Sequence, residues 1–192
     1  MRQKNYILVV VFILSCGVTT PGLALDDFKA AGALLFSGEG QSRQVLLVKH
    51  HSRSWYEMPG GRRQFASTTL EEQGTVSETA YETAIRECHE ESRAVLSLMH
   101  LRDSINPEHQ LRDGSFVYFV GKIDRIAPDA LRQVTIPRGS GAFGEIADYA
   151  WVDVDVVLVS EGDLVTDAEG RSIRIRPQLK PRLLRAREKG WL

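Results

Sequence analysis

The sequence predicts an α/β (α+β) fold on three observations: one amphipathic helix in mid-chain, apolar runs of strand composition on either side of it, and a basic helix at the C-terminal end. The central helix is TAYETAIRECHEESRA, residues 79–94. Thr79 followed three residues later by Glu82 is a capping-box pattern that starts the helix at Ala80. At about 100° per residue, Tyr81, Ala84, Ile85 and Cys88 form one apolar stripe, which faces a core. Glu87, Glu90 and Glu91 lie on the neighbouring arc at i, i+3 and i+4, within one turn of each other.

The strands are read from composition and punctuation. Residues 31–36 and 45–48 are apolar runs separated by the turn Ser37-Gly38-Glu39-Gly40, and they pair as a hairpin. His50 and His51 read as polar loop positions, because no spaced third ligand accompanies them. Trp55 to Met58 then run into Pro59-Gly60-Gly61. The stretch QFASTTLEEQG, residues 64–74, is polar and aperiodic and reads as an exposed loop or lid. After the helix, residues 95–101 and 116–123 read as strands, with 103–114 between them as a loop. Residues 125–144 read as a long connection, 153–160 as a short helix and 162–175 as a turn-rich segment with an edge hairpin. Pro181 opens the terminal helix, residues 182–189, which Gly190 stops and Leu183 and Leu184 dock.

Length and composition fit one domain with a real core: 192 residues, 43% apolar and 26% charged. A formal charge of −1 gives no electrostatic case for a nucleic-acid partner. Arg2 and Lys4 precede an apolar run over residues 6–14, and Gly22-Leu23-Ala24 then resembles a signal-peptidase site. The expected organisation is a signal peptide over residues 1–24 and a single domain over 25–192, exported and, in a Gram-negative host, periplasmic. The apolar run is too short for a stable membrane span. Ile13-Leu14-Ser15-Cys16 offers the alternative of a lipoprotein anchored through Cys16. Cleavage after Ala24 would leave Cys88 as the only thiol, a buried core residue rather than a nucleophile.

Three carboxylates crowded on one turn repel one another, by about 0.2–0.5 kcal/mol per pair on a solvated face, and a bound divalent cation reverses the sign. Anionic oxygen ligands suit hard Mg²⁺ (or Mn²⁺). Arg86 lies four residues from both Glu82 and Glu90, placed to orient these acids. Arg53, Arg62 and Arg63 flank the Pro-Gly-Gly turn and are suited to phosphate oxygens through the planar guanidinium.

Pro59-Gly60-Gly61, then Glu78, seven residues, and Arg86-Glu87-Cys88-His89-Glu90-Glu91 resemble the signature box of the Nudix hydrolases, G, five residues, E, seven residues, R-E-U-x-E-E-x-G-U. The pattern departs from the box twice. Sixteen residues separate Gly61 from Glu78 where the box has five, an insertion of eleven, and Arg93 stands where the box has its glycine. The resemblance implies a Nudix-like mixed β-sheet sandwiched between helices. It also implies a Mg²⁺-dependent hydrolase that cleaves a phosphoanhydride bond in a nucleoside diphosphate linked to another moiety, a small-molecule substrate. On that reading Gly61, Glu87, Glu90 and Glu91 hold the metal, Glu87 or Glu145 is the base, Arg86 positions Glu87, and Glu78 and Gly60 support the site. The alternatives are a catalytically impaired Nudix-fold binding module and a diphosphate-acting isomerase.

Overall fold

The computed structural model describes residues 27–64, 78–136 and 141–192. The leader, Cys16 and most of the insertion lie outside the described residues. The chain runs β1 (Ala30–Ser37), β2 (Gln44–His50), β3 (Gly60–Arg62), α1 (Ala80–Glu91), α2 (Leu98–Ser104), β4 (Ile105–Asp113), β5 (Phe116–Lys122), α3 (Pro128–Arg132), β6 (Ile146–Asp153), α4 (Val154–Val159), β7 (Leu164–Thr166), β8 (Ser172–Arg174) and α5 (Leu179–Glu188). A mixed sheet takes the order β4-β5-β1-β2-β6, and the short β3 pairs with β1. β1 and β5 run parallel, and the other sheet pairings are antiparallel.

Strand alternation supplies two apolar faces. Ala31, Ala33, Leu35, Leu46, Val48, Val117, Phe119, Tyr149 and Trp151 pack with the α1 stripe, Ala84, Ile85 and Cys88, and with Leu101 of α2 and Leu131 of α3. On the other face, Leu34, Leu47, Tyr118, Val120, Ala150 and Val152 pack against Val157 of α4, Val165 and Ile173 of the β7-β8 hairpin and Leu183 of α5. The expected sandwich is present.

α1 begins where the capping box places it. The Thr79 hydroxyl accepts from the Glu82 amide at 3.2 Å, and the Glu82 carboxylate accepts from the Thr79 amide at 2.9 Å. The expected hairpin over 162–175 and the short helix after Asp153 are found as β7-β8 and α4.

Four expectations need correction. Residues 95–101 are not a strand: the Ser97 hydroxyl accepts from the His100 amide at 3.1 Å and caps α2, whose single buried residue is Leu101. The expected loop over 103–114 is the edge strand β4, whose mostly exposed side chains carry no apolar alternation. Its register with β5 shifts between Asn106 and Gln110, around Pro107, which lacks the amide a regular ladder needs. The connection 125–144 contains α3, with Pro128 in its first turn. The terminal helix starts ahead of Pro181, at Leu179, and of the two expected docking leucines Leu183 is buried while Leu184 is 47% exposed. Among the described residues no helix is long and apolar enough to cross a membrane.

Candidate active site

The sheet, β3 and α1 meet at a pocket of about 380 Å³ lined by His50, Arg53, Gly60, Gly61, Arg62, Arg63, Arg86, Glu87, Glu90, Glu91 and Glu145 among others. The sites anticipated from spacing therefore share one cavity, with Glu78 just behind Arg86. Each is delivered by a different element: the acids by α1, the two glycines by β3, and Glu145 by the residue before β6.

Glu91 is the innermost acid, 3% exposed. One of its oxygens accepts from the Gly60 amide at 2.8 Å. Burial raises its pKa, against the pull of His50 and of that amide. Burial also lifts Glu87, to about 7, while Arg86 opposes the shift and the neighbouring Glu91 and Glu90 add to it. Glycine at position 61 leaves the Glu87 carboxylate its place: a Cβ there would run into it, and the side chain would have to swing away.

Arg86 is the hub of the helix face. It donates to Glu78 through Nε at 2.7 Å and through a terminal nitrogen at 3.1 Å, to Glu87 at 2.8 Å, to Glu90 at 2.9 Å and to the Arg62 carbonyl at 2.9 Å. Glu78 in turn accepts from the Thr83 hydroxyl at 3.0 Å and the Gln64 amide at 3.1 Å. Burial works to raise its pKa, but these donors, Arg86 first among them, hold it below the usual carboxylate range. Among the described residues no three His, Cys, Asp or Glu side chains are grouped closely enough to hold a metal as they stand. Glu87 and Glu90 are held by Arg86.

The three loop arginines differ in what they touch. Arg53 pairs with the buried Glu57, which also takes Arg176. Arg63 donates to the Glu78 carbonyl at 2.9 Å and lies over the Phe28 ring at 4.5 Å. Arg62 reaches Arg86 through its backbone carbonyl and is one of the residues that line the pocket.

His50 was not legible as a site residue. It ends β2 on the same face as Leu46 and Val48, so strand alternation carried through two more residues points it towards α1. Its Nε2 stands 2.9 Å from a Glu91 oxygen, off the line a hydrogen bond requires, and its Nδ1 stands 3.9 Å from Glu145. His51 is an exposed turn residue. Arg93, singled out in the sequence for standing at the box glycine, makes contacts the sequence does not show: it reaches from the end of α1 to carbonyls of α3 and β6, at 2.8 Å from Arg132 and 2.7 Å from Ile146.

The family model described as NUDIX domain matches residues 27–170. No curated protein matches the chain. Among solved structures, a binary complex of the Caenorhabditis elegans Ap4A hydrolase is similar at 15% identity and a TM-score of 0.48, covering 85% of this chain and 98% of that one. The NUDIX domain of Shewanella oneidensis NrtR complexed with ADP ribose is similar at 18% identity and a TM-score of 0.45, over 85% and 88%. A UDP-X diphosphatase is similar at 16% identity and a TM-score of 0.37, over 84% and 64%. With three quarters of its length matched by the family model, and with the box acids gathered beside the glycine turn, this chain belongs to the Nudix family.

Proposed function

We propose that the protein is a Mg²⁺-dependent hydrolase that cleaves the pyrophosphate bond of a nucleoside diphosphate linked to another moiety. The observation that carries this reading is the convergence of Gly61, Glu87, Glu91 and Glu145 with Arg53 and Arg62 on one pocket. The pocket fits a hard divalent cation on two counts. Its donors are oxygens, and the absent Cβ of Gly61 leaves the Glu87 carboxylate room against β3.

Gly61, through its carbonyl, and Glu87, Glu90 and Glu91 would hold the cation. The ion, when bound, supplies charge neutralisation of the pyrophosphate and acidifies a coordinated water. The chain's own residues do the remainder. Arg86 fixes Glu87 and Glu90 from one side and is itself anchored by Glu78, so it positions acids and does not touch substrate. A carboxylate whose pKa lies near neutrality is suited to take a proton from water, and Glu87 meets that condition in the metal-free protein. Glu145, 63% exposed at the pocket mouth, is the other candidate base. Arg62 and Arg53 face the cavity where phosphate oxygens would lie.

The test is a release assay with ADP-ribose, diadenosine tetraphosphate, a UDP-sugar and nucleoside triphosphates, with and without Mg²⁺. Glu90→Gln and Glu91→Gln should abolish metal-dependent turnover while the fold holds, and Mg²⁺ should raise the melting temperature of wild type far more than that of either variant. Equal Mg²⁺ shifts for all three proteins would reduce these acids to a solvated face. Bond rearrangement without cleavage would favour the isomerase.

The proposed destination is outside the cytoplasm after cleavage behind Ala24, from the charged start, apolar run and Gly22-Leu23-Ala24. N-terminal sequencing of exported protein should begin at Leu25. A lipid on Cys16 or an intact Met1 would overturn it.

A further inference from the structure

The residue that departs from the family box, Arg93, occupies left-handed backbone at φ 55°, and Ala94 after it does so at φ 63°. Neither is glycine, and each such residue costs on the order of 1 kcal/mol, a strain that persists only where the surroundings over-determine it. Here the Arg93 side chain does so. One terminal nitrogen donates to the Leu131 and Arg132 carbonyls of α3 at 3.3 and 2.8 Å, and the other to the Ile146 carbonyl at 2.7 Å. Ile146 is the first residue of β6 and the neighbour of Glu145.

The same guanidinium lies over the Tyr149 ring at 5.7 Å, and the Tyr149 hydroxyl donates to the Glu91 carbonyl at 2.8 Å. Arg93 therefore stands between the backbones of two pocket acids from different elements. The Glu145 backbone is also held directly, its carbonyl accepting from the His51 amide at 3.0 Å and its amide donating to the Ala142 carbonyl at 3.3 Å. Loss of Arg93 would remove the tie from the end of α1 to this corner and leave Glu145 with its backbone bonds and the β2–β6 ladder.

We infer that Arg93 is a positioning residue, which replaces the box glycine and sets Glu145 against Glu91 through the Ile146 carbonyl and Tyr149. The inference rests on the reading above that Glu91 helps to hold a divalent cation, and it adds Glu145 to the oxygens that face that ion. Glycine at this position satisfies the backbone alone. Arginine satisfies it at a cost and uses the reach of its side chain to lock the strand carrying Glu145 to the helix carrying Glu91.

The test is a double-mutant cycle on Mn²⁺ affinity, read from the electron paramagnetic resonance signal of the free ion, with the full chain as wild type, Arg93→Ala, Glu145→Gln and the double variant. Each single change should weaken Mn²⁺ about tenfold or more, as loss of residues that orient metal ligands does. The double variant should be no weaker than the poorer single, because Arg93 acts through Glu145. Guanidinium ion should restore Arg93→Ala and leave Glu145→Gln unchanged. Arg93→Gly, which suits the left-handed backbone, should keep the fold and still lose the affinity. Additive effects, or Arg93 variants that bind Mn²⁺ as wild type does while melting lower, would make Arg93 a structural residue only. Loss of Mn²⁺ by Glu91→Gln with no loss on changing Arg93 overturns this inference alone, whereas equal binding by wild type and Glu91→Gln overturns the metal reading and this inference with it.

Discussion

Glu87 sits against β3 with its charge partly matched by one arginine, and the mismatch has a consequence for stability. Its carboxyl is raised from an ordinary 4.5 to about 7, first by burial. The folded chain therefore holds a proton over that window which the unfolded chain has released. The associated stability is fully present below 4.5 and is lost as the pH rises through about 7. The full swing is on the order of 3 kcal/mol. In chelator, urea unfolding of wild type across this window should show that decline, and Glu87→Gln should flatten it; parallel curves would mean that the carboxyl is solvated. The arc of Glu87, Glu90 and Glu91 was legible from helical periodicity alone. Their inequality was not, because it depends on what lies across from the helix: Gly60 and His50 close over Glu91, while Glu90 faces Arg86 at the rim. His50 was misread because its place at the end of β2 shows only when the strand is followed two residues past its apolar run.

At the level of elements, the sequence spoke clearly where local chemistry is decisive and poorly where partners decide. The capping box placed the start of α1 to the residue, and Ser97, a cap of the same kind ahead of α2, was overlooked in favour of the β-like composition around it. β4 is an exposed edge, so neither its composition nor its period distinguishes it from a loop. β3 is only three residues long and exists because β1 offers it a partner, Ala31 opposite Gly61. That pairing brings the glycine turn under α1. Gly61→Ala should keep it, since β3 bonds through its backbone, while the added methyl displaces Glu87. Mg²⁺ should then stabilise the variant much less than wild type in thermal melts, with at most about 1 kcal/mol lost in the metal-free protein. An unchanged Mg²⁺ shift would place the ion away from Glu87.

Across the described residues the two faces of the sheet differ, the α1 face carrying the candidate active site and the α5 face a second apolar core. Arg182 of α5 is buried over the Phe116 ring at 4.4 Å and is paired with Asp113 at 3.1 Å. Burial, outweighing Asp113, lowers its pKa. Removing the carboxylate strands a buried charge, so Asp113→Ala should cost about 3 kcal/mol in chemical denaturation while Mn²⁺ affinity stays as in wild type. A loss of affinity would mean that the two faces are coupled through β5. The sandwich itself followed from the resemblance and from the order of helix and strand. The parallel pairing of β1 with β5 did not, because strand partners remote in sequence leave no local mark.

The two ends of the insertion are fastened to each other. The Gln64 amide reaches the Glu78 carboxylate at 3.1 Å, and the Arg63 guanidinium reaches the Glu78 carbonyl at 2.9 Å. β1 pairs with β5 and β2 with β6 across this junction, so a chain cut between Gln64 and Glu78 should hold together through the sheet, with its two fragments co-purifying under native conditions and separating in denaturant.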